Sequence, residues 1–399
     1  MTKMLGLPVS YREQLKSGAA ASATLPVEPV SATGRITIDL GQIAKNWQSL
    51  TRHVDGVACG AVVKADAYGL GARRVIPALA QAGCKTFFIA TPDEAEGARA
   101  GAPNATIYAL DGLLPHSAET FARLGVIPVL SNLSDVEGWV ALGKSRGGPL
   151  AAALHIDSGL NRLGLPARDV RRLASNETLR AGLDLKLVMS HLACADNPAE
   201  PKNREQLLAF ETLSALFPGV PRSLAASDGL MLGKPYHFDL VRPGYALYGG
   251  QASATNPAPV APVVTVSALI LAVNDVAPGA SVGYAAAWRA KSASRIATIA
   301  AGYADGIPRS ASFADGRPRG FVLIGGVKAP VVGRVSMDLI TVDVTALPPD
   351  TARPGASAIL IGPGLSIEDM GYEAGTIGYE ILTRLGARFE REWVGDGNV

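Results

Sequence analysis

Cysteine is scarce in this sequence, and its spacing argues against several kinds of site. The 399 residues include three cysteines, Cys59, Cys84 and Cys194, an odd number at separations that match no common metal-ligand motif. Neither a disulfide scaffold nor a metal site is therefore predicted. Unpaired thiols are typical of reducing compartments, so we expect a cytoplasmic protein with buried cysteines.

Charged residues are also few, and neither sign dominates. They make up 18% of the chain, and the 37 basic and 35 acidic residues leave a net charge of +2. No basic run is interleaved with aromatic residues, so nucleic acid is not an expected partner. No apolar run approaches the length of a membrane span, and no Gly-x-Gly-x-x-Gly loop before a helix indicates a dinucleotide site.

The N-terminal residues differ in composition from the rest of the chain. Residues 1–34 are rich in Ser, Ala, Pro and Thr, and the apolar stretch at 5–9 is too short for the core of a signal peptide. We expect a flexible extension without an export signal. The remaining chain exceeds what one hydrophobic core usually supports, so two domains are predicted, at residues 35–255 and 256–399.

Short apolar runs alternate with helical segments in the first predicted domain. The runs predict eight strands, at residues 59–63, 86–90, 106–110, 127–131, 151–156, 186–190, 222–226 and 240–242. Eight parallel strands with crossover helices indicate an α/β fold of the (β/α)₈ TIM-barrel type. Active sites of such barrels lie at the carboxyl ends of the strands, where this sequence places Lys64, Asp157, His191, Ser227 and Arg242.

The second predicted domain is rich in β-structure. Glycine turns separate candidate strands at residues 263–273, 281–289, 295–303, 320–335, 339–344, 358–361 and 389–394, and one helix is predicted at 368–385. The pattern indicates a mostly antiparallel barrel or sandwich. The strand at 36–40 is surplus to the eight of the barrel, so we expect it to join this C-terminal sheet.

Lys64 ends the first barrel strand, where packing needs no charge. A lysine there is either a solvated surface cation or a functional amine, because a desolvated lysine has a lowered pKa and its neutral form attacks carbonyl carbons. Viewed alone, Lys64 fits the surface interpretation better. Tyr284 in a predicted strand and Arg242 at a barrel rim, paired with Asp239 or Asp305, likewise have plain structural interpretations.

Several motifs in order along the chain change that balance. Residues 63–71 (VKADAYGLG) resemble the cofactor-lysine signature of the alanine racemases, which are pyridoxal-phosphate enzymes with a barrel and a β domain. Further segments resemble signatures of the same family, at 155–164 (HIDSGLNRLG), 190–193 (SHLA), 240–244 (LVRPG), 282–284 (VGY), 302–306 (GYADG), 333–338 (GRVSMD) and 378–380 (GYE). The resemblance covers about residues 35–399.

The resemblance implies a racemisation with two bases. Lys64 would hold pyridoxal phosphate covalently and serve the D face of alanine, and Tyr284 would serve the L face. A free phenol titrates near 10, so a neighbour has to lower that pKa; the resemblance implies that His191 and Arg242 form the surrounding hydrogen-bonded network. Arg242 would also face the pyridine nitrogen and, as a permanent cation, keep it unprotonated.

The remaining site residues are assigned by the same resemblance. The cofactor phosphate would be held by Tyr68, Ser227, Gly244, Tyr245 and Tyr379, with Tyr245 acting through its backbone N–H. Arg162 would reach the cofactor phenolate and the substrate carboxylate, and Met337 and Asp338 would contact the substrate. Tyr303, Asp305 and Arg309 would line the access route. The Met337 side chain alone would be interpreted as core filler.

The family pattern also implies an obligate homodimer, because the second domain of one subunit closes the barrel mouth of the other. The expected function is the supply of D-alanine for cell-wall peptidoglycan. Two alternatives stay open: a racemase of broader specificity, acting on serine or lysine, and a non-catalytic pyridoxal-phosphate-binding barrel. His155 stands where many alanine racemases carry a carbamylated lysine that steadies the arginine, and Ile307 and Asp228 also depart from the family pattern.

Overall fold

Eight short parallel strands form a closed barrel. The computed structural model describes residues 32–251, 253 and 255–395. The first barrel strand has two parts, Ala58–Cys59 and Ala61–Val62; the others are Thr86–Ile89, Thr106–Ala109, Val126–Leu130, Leu150–His155, Leu183–Met189, Arg222–Ser223 and Leu240–Val241. Ala58 pairs with Leu240, which closes the cylinder. The predicted TIM-barrel class is confirmed.

Helices surround the barrel, and all but the short Glu177–Ala181 bury residues against it. They comprise Leu40–His53, Ala72–Gln81, Ala95–Gly101, Ala118–Leu124, Leu133–Ser145, Ala167–Ser175, Glu177–Ala181 and Pro201–Ser214. Asp39 caps the Leu40–His53 helix by accepting the Gln42 N–H at 2.8 Å. Asn132 caps the Leu133–Ser145 helix by accepting the Asp135 N–H at 2.8 Å. The strands are buried on both sides, as the fully enclosed Phe87 and Phe88 show.

The C-terminal part of the chain forms an eight-stranded, mostly antiparallel sheet. Its strands, in spatial order, are Ser294–Ile299, Ile340–Asp343, Val327–Val332, Phe321–Ile324, Ser357–Ile361, Val264–Val276, Gly34–Asp39 and Glu390–Val394. The long Val264–Val276 strand also pairs with Ser294–Ile299, so six of the strands close on themselves. The strand predicted at 36–40 lies in this sheet, between Val264–Val276 and Glu390–Val394.

Glycines explain three differences between the predicted and observed elements. The run at 320–335 is a hairpin, because Gly325 and Gly326 have φ of 58° and 79° and form a two-residue turn. The helix predicted at 368–385 is two helices, Ile367–Ala374 and Gly378–Thr383, and Gly375 ends the first with φ of 72°. The strand predicted at 281–289 is present only as Ser281–Val282 and Trp288–Arg289, because Gly283, with φ of 74°, interrupts it.

Residues of the C-terminal part contact the barrel directly. The Glu368 carboxylate accepts the Tyr245 hydroxyl at 2.8 Å and the Gln251 N–H at 2.7 Å, and Trp393 Nε1 donates to the Leu70 carbonyl at 3.0 Å. The described residues from 33 to 395 belong to one unit, so the division at 255/256 stays a prediction from the sequence. The predicted extension lies outside the described residues as far as residue 31. No helix of the described ranges has the length and apolar character to cross a membrane.

Candidate active site

Lys64 lies two residues beyond the end of the first barrel strand and begins an unusual turn. Ala65, Asp66, Ala67 and Tyr68 all have left-handed backbone angles, with φ between 53° and 57°. A left-handed turn of non-glycine residues costs about 1–2 kcal/mol per residue, so the surrounding structure has to hold it in place. Lys64 itself is partly exposed at the mouth of the barrel.

Tyr68, Ser227 and Gly244 form a small polar cradle beside this turn. The Ser227 hydroxyl accepts the N–H groups of Gly244 and Ala246 at 3.0 and 3.1 Å, which joins the ends of the last two strands. A Cβ atom at Gly244 would overlap the Tyr68 hydroxyl, so only glycine leaves room there. Ser227 is buried, yet its hydroxyl proton remains available as a donor.

Two more tyrosines complete the cradle from different parts of the chain. The rings of Tyr379 and Tyr68 lie 6.2 Å apart, and the Tyr379 hydroxyl donates to Asp228 Oδ2 at 3.3 Å. Burial, followed by the charge of Asp228, raises the pKa of both Tyr68 and Tyr379, so both phenols stay protonated donors. Tyr245 is buried with its hydroxyl on Glu368, which leaves its backbone as the part that can serve a ligand.

Arg242 is a buried cation without a carboxylate partner among the residues that the structure describes. Its Nη1 donates to the Ser223 hydroxyl, and its Nη2 donates to the Ser190 and Leu224 carbonyls at 2.6 and 3.3 Å. Burial lowers the pKa of Arg242 to about 9, so it remains a cation at neutral pH. The alternative pairings are wrong: Asp239 pairs with Arg222 and Asp305 with Arg388.

Two histidines near Arg242 are neutral at physiological pH. Burial, followed by the positive charge of Arg242, lowers the pKa of His191 to about 3 and that of His155 to about 4. A neutral imidazole accepts or donates one hydrogen bond at each nitrogen, according to its tautomer. Beside a buried guanidinium, these rings add polarity without adding a second positive charge.

Arg162 lies on an exposed loop that Asp157 organises. The Asp157 Oδ1 atom accepts the N–H groups of Gly159, Leu160 and Asn161 at 2.9, 3.0 and 3.1 Å. Asn161 has φ of 56°, a value that asparagine tolerates better than most residues. Asp157 therefore shapes the loop, and the Arg162 side chain is free to turn toward a ligand.

Three adjacent loops of the C-terminal part carry exposed apolar side chains. Tyr284 is 71% exposed, Met337 53% and Tyr303 41%. Gly283 lies against Arg334, and the Tyr303 N–H donates to the Ser336 carbonyl at 3.0 Å, so the loops are neighbours. The half-buried strand position suggested for Tyr284 is wrong, because Tyr284 begins a short 3₁₀ turn, Tyr284–Ala286. The core position suggested for Met337 is also wrong, because Met337 is 53% exposed.

The residues predicted to line the access route divide into exposed and buried ones. Tyr303 and Arg309 are exposed, whereas Asp305 is 2% exposed and its two carboxylate oxygens accept Arg388 Nε and Nη2, both at 2.7 Å. Arg388 also donates to Asp338 at 2.6 Å. Asp305 thus supports the route from beneath rather than lining it. Ile307 is buried in the core of the C-terminal sheet and does not face the route.

Sequence reasoning missed three residues that hold the site together: Glu94, Glu368 and Arg388. Glu94 accepts the Ala65 N–H at 2.5 Å, immediately after Lys64. A capping pattern, Thr91 followed three residues later by Glu94, is visible in the sequence and predicts a helix start. Nothing local predicts that the same carboxylate reaches Ala65, 29 residues earlier.

The described groups suit a small anionic ligand with a polar ring. The hydroxyls of Tyr68 and Ser227 offer hydrogen-bond donors to an anion such as a phosphate, without a Gly-rich loop, and the Tyr379 hydroxyl lies beside them and donates to Asp228. Arg242 offers a fixed positive charge to a ring acceptor, and the Lys64 amine stands at the same barrel mouth. Amines of this kind form covalent links with carbonyl groups.

Two protein-family models match most of the chain. The alanine racemase N-terminal domain model matches residues 38–252, and the alanine racemase C-terminal domain model matches residues 263–393. An alanine racemase of Methylobacterium sp. (strain 4-46) is 47% identical over 360 residues, covering 90% of this chain and 97% of the relative. An alanine racemase of Brucella canis is 44% identical over 379 residues, covering 92% and 94%.

Two solved structures share the arrangement of both parts. Alanine racemase from Bartonella henselae with covalently bound pyridoxal phosphate gives a TM-score of 0.86 at 39% identity, covering 91% of this chain and all (100%) of that one. The biosynthetic alanine racemase from Pseudomonas aeruginosa gives a TM-score of 0.84 at 35% identity, with 91% and 99% covered. The likeness extends over the barrel and the C-terminal sheet alike.

Proposed function

Because the chain belongs to the alanine racemase family, we propose that it interconverts L- and D-alanine with two bases on opposite faces of pyridoxal phosphate. The observation that carries the proposal is the barrel mouth. There the buried Arg242, the donor cradle of Tyr68, Ser227 and Tyr379, and the Lys64 amine come together. When bound, pyridoxal phosphate supplies an electron sink for the charge left on Cα.

The residues present fit this cofactor. Lys64 would hold it covalently, and Tyr68, Ser227, Gly244, the Tyr245 backbone and Tyr379 would hold its phosphate. The close approach of the Tyr68 hydroxyl to Gly244, which only glycine permits, and the protonated phenols support that assignment. Arg242 would face the pyridine nitrogen, and its protonated state at neutral pH would keep that nitrogen without a proton. His191 would complete the polar surroundings as a neutral ring.

The proton transfers would be divided between two side chains. The Lys64 Nζ atom would remove or return the proton on the D face of alanine, and the Tyr284 Oη atom would act on the L face. A base has to lie within hydrogen-bond reach of the proton that it takes. Lys64 stands at the barrel rim, whereas Tyr284 is 71% exposed on a loop of the C-terminal part, an arrangement suited to serving a second chain.

Two chains would therefore build each site. Tyr284, Tyr303, Met337 and Leu339 form an exposed apolar patch on adjacent loops, with 38% to 71% of each side chain accessible. Exposed apolar patches of this kind mark protein interfaces, and aromatic residues and methionine are enriched in them. We infer a two-fold homodimer in which this patch of one chain faces the barrel mouth of the other.

The substrate carboxylate would be held by Arg162 and the Met337 backbone N–H. Arg388 fixes Asp338 beside Met337, and Tyr303 and Arg309 would border the access route. A broader substrate range is the second candidate, favoured by one observation. His155 is buried and neutral where a carbamylated lysine would steady the arginine, so Arg162 has no such anion to orient it.

The product would serve as D-alanine for cell-wall peptidoglycan, and the reaction would take place in the cytoplasm. Similarity to the biosynthetic enzyme from Pseudomonas aeruginosa supports the first statement. The three cysteines support the second, since all are free and Cys59 and Cys84 are buried.

A substrate panel tests the proposed function. Purified protein loaded with pyridoxal phosphate is assayed for racemisation of alanine, serine and lysine, with Lys64→Ala as the negative variant. We expect alanine to be the preferred substrate and Lys64→Ala to lose both activity and the visible absorbance of the covalent lysine–cofactor link. Comparable turnover of serine or lysine would favour the broader specificity, and a covalent link that survives in Lys64→Ala would overturn the role of Lys64.

A further inference from the structure

Glu94 bridges the carboxyl ends of two neighbouring barrel strands. Its Oε2 atom accepts the N–H groups of Ala90 and Thr91 at 2.7 and 3.4 Å, just after the Thr86–Ile89 strand. Its Oε1 atom accepts the Ala65 N–H at 2.5 Å, three residues beyond the Ala61–Val62 strand. Phe87 of one strand pairs with Ala61 of the other, so the carboxylate extends an existing contact between the strands.

The Ala65 contact is more than a helix cap requires. Capping the short Pro92–Glu94 turn needs one carboxylate oxygen and its own backbone, and Oε2 supplies that oxygen. The second oxygen is directed to the amide that begins the left-handed turn at residues 65–68. Charge-assisted hydrogen bonds from backbone N–H to a carboxylate are among the stronger ones in proteins.

The turn has separate anchors at its two ends. At the far end, Trp393 Nε1 donates to the Leu70 carbonyl at 3.0 Å, and Asp66 Oδ1 accepts the Ala72 N–H at 2.7 Å. At the Lys64 end, Glu94 is the side chain that accepts a hydrogen bond from the turn, among the residues described. Losing it would remove the side-chain anchor at the lysine end, where the Val63 N–H to Phe88 carbonyl and Ala67 N–H to Val63 carbonyl bonds, at 2.8 and 2.9 Å, remain, and would leave the Ala65 amide without its acceptor.

We propose that Glu94 is a positioning residue that fixes the direction of the Lys64 amine by holding the Ala65 amide. It touches neither substrate nor cofactor, and it acts through the backbone beside the reacting group. The inference rests on the proposed role of Lys64 as cofactor lysine and D-face base. A displacement of the order of 1 Å at a reacting group reduces rates by about 100-fold, which sets the scale of the expected effect.

Three variants test this proposal: Glu94→Ala, Glu94→Gln and the control Glu96→Ala. Glu96 is two residues away, is exposed and pairs with Arg123 on the surface. Glutamine keeps the size of the side chain but has one acceptor oxygen for two sets of N–H groups. In the protein without cofactor, we expect Glu94→Ala to speed hydrogen–deuterium exchange of residues 64–70, and Glu96→Ala to leave it unchanged.

The catalytic measurement uses α-deuterated substrates. Lys64 takes the proton only from D-alanine, so a displaced amine makes that transfer more rate-limiting. We expect Glu94→Ala to lower kcat by about 10- to 100-fold, to raise the deuterium isotope effect with D-alanine and to lower it with L-alanine, with Glu94→Gln intermediate. If Glu94→Ala does not fold, the isotope effects of Glu94→Gln with D- and L-alanine, which should change in the same opposite directions, decide the question.

Two results would overturn the proposal. Isotope effects that change equally with both enantiomers, or do not change, would mean that Glu94 only caps the following turn. Unchanged exchange of residues 64–70 would mean that it does not hold the lysine end. Failure of the proposed function itself is recognised separately, because the unaltered protein would then not racemise alanine, or Lys64→Ala would keep the covalent link.

Discussion

At the scale of single residues, His155 shows how one substitution alters the electrostatics of the site. It is 6% exposed, and burial together with the charge of Arg242 lowers its pKa to about 4 from the usual 6.5. In the unfolded chain the same ring would titrate near 6.5, so between pH 6.5 and 4 the unfolded state binds more protons than the folded one. Stability therefore rises with pH across this window and is lost as the pH falls through it.

We predict that His155→Gln makes stability less dependent on pH. Between pH 7 and pH 5, holding His155 neutral lowers the free energy of unfolding by about 2 kcal/mol. Glutamine does not titrate, so the variant does not lose this stability. Urea unfolding at equal protein concentration measures it: the midpoint should fall from pH 7 to pH 5 in both proteins, and less in the variant. His191 has a lowered pKa in both and does not affect the comparison. Equal falls would mean that His155 is not held neutral.

Part of the site follows from the sequence one residue at a time. The alternation of apolar runs and helical segments places Lys64, His191, Ser227 and Arg242 at or just past strand ends, and in the structure they follow the observed strands by one to four residues. Arg388 could not be found in this way, because its partner Asp305 lies 83 positions away. Contacts between distant segments depend on tertiary packing, which no local pattern encodes.

At the scale of elements, glycines decide where a continuous pattern breaks. The helix predicted at 368–385 carries its apolar residues at helical spacing, yet Gly375 and the following turn split it and place Tyr379 on a separate helix, Gly378–Thr383. The strand predicted at 281–289 is interrupted by Gly283, with φ of 74°, and the turn that follows presents Tyr284 to solvent. In both cases a predicted site residue follows the interrupting glycine along the chain.

Arg388 connects three elements of the access route. It precedes the last strand, Glu390–Val394, and pairs with Asp305 of the Tyr303–Asp305 turn and with Asp338 of the Met337 loop. The Asp305 side chain is 3% exposed, so removing the cation leaves a buried carboxylate without its ion pair. The Arg388 guanidinium thus supports the positions of Tyr303 and Met337, together with the backbone hydrogen bonds between their loops.

We predict that Arg388→Met lowers the urea midpoint and speeds amide exchange in residues 302–306 and 336–339. Arg384→Met is the matched control, because Arg384 forms an exposed i,i+4 pair with Glu380, and such pairs contribute little. The double variant Asp305→Asn, Arg388→Met should recover part of the loss, since no charge is then left buried. Equal effects of Arg388→Met and Arg384→Met would contradict this role.

At the scale of the whole molecule, the distribution of the two proposed bases sets the assembly. Lys64 belongs to the barrel, and Tyr284 belongs to an exposed loop of the C-terminal part. The barrel and the β-rich second part could be predicted from the sequence, because strand–helix alternation and glycine-separated strands have different periods. The homodimer is implied by the family resemblance alone, since nothing in the periodicity of a single chain shows which chain a loop serves.

A hybrid dimer tests the central claim, that each site combines Lys64 of one chain with Tyr284 of another. Chains carrying Lys64→Ala and Tyr284→Phe, with different affinity tags, are produced together, and the doubly tagged hybrid is isolated. Each parent dimer should be nearly inactive, whereas the hybrid contains one site with both bases and should show about half of the normal alanine racemisation. A hybrid no more active than its parents would contradict the shared site, because both bases would then come from the same chain.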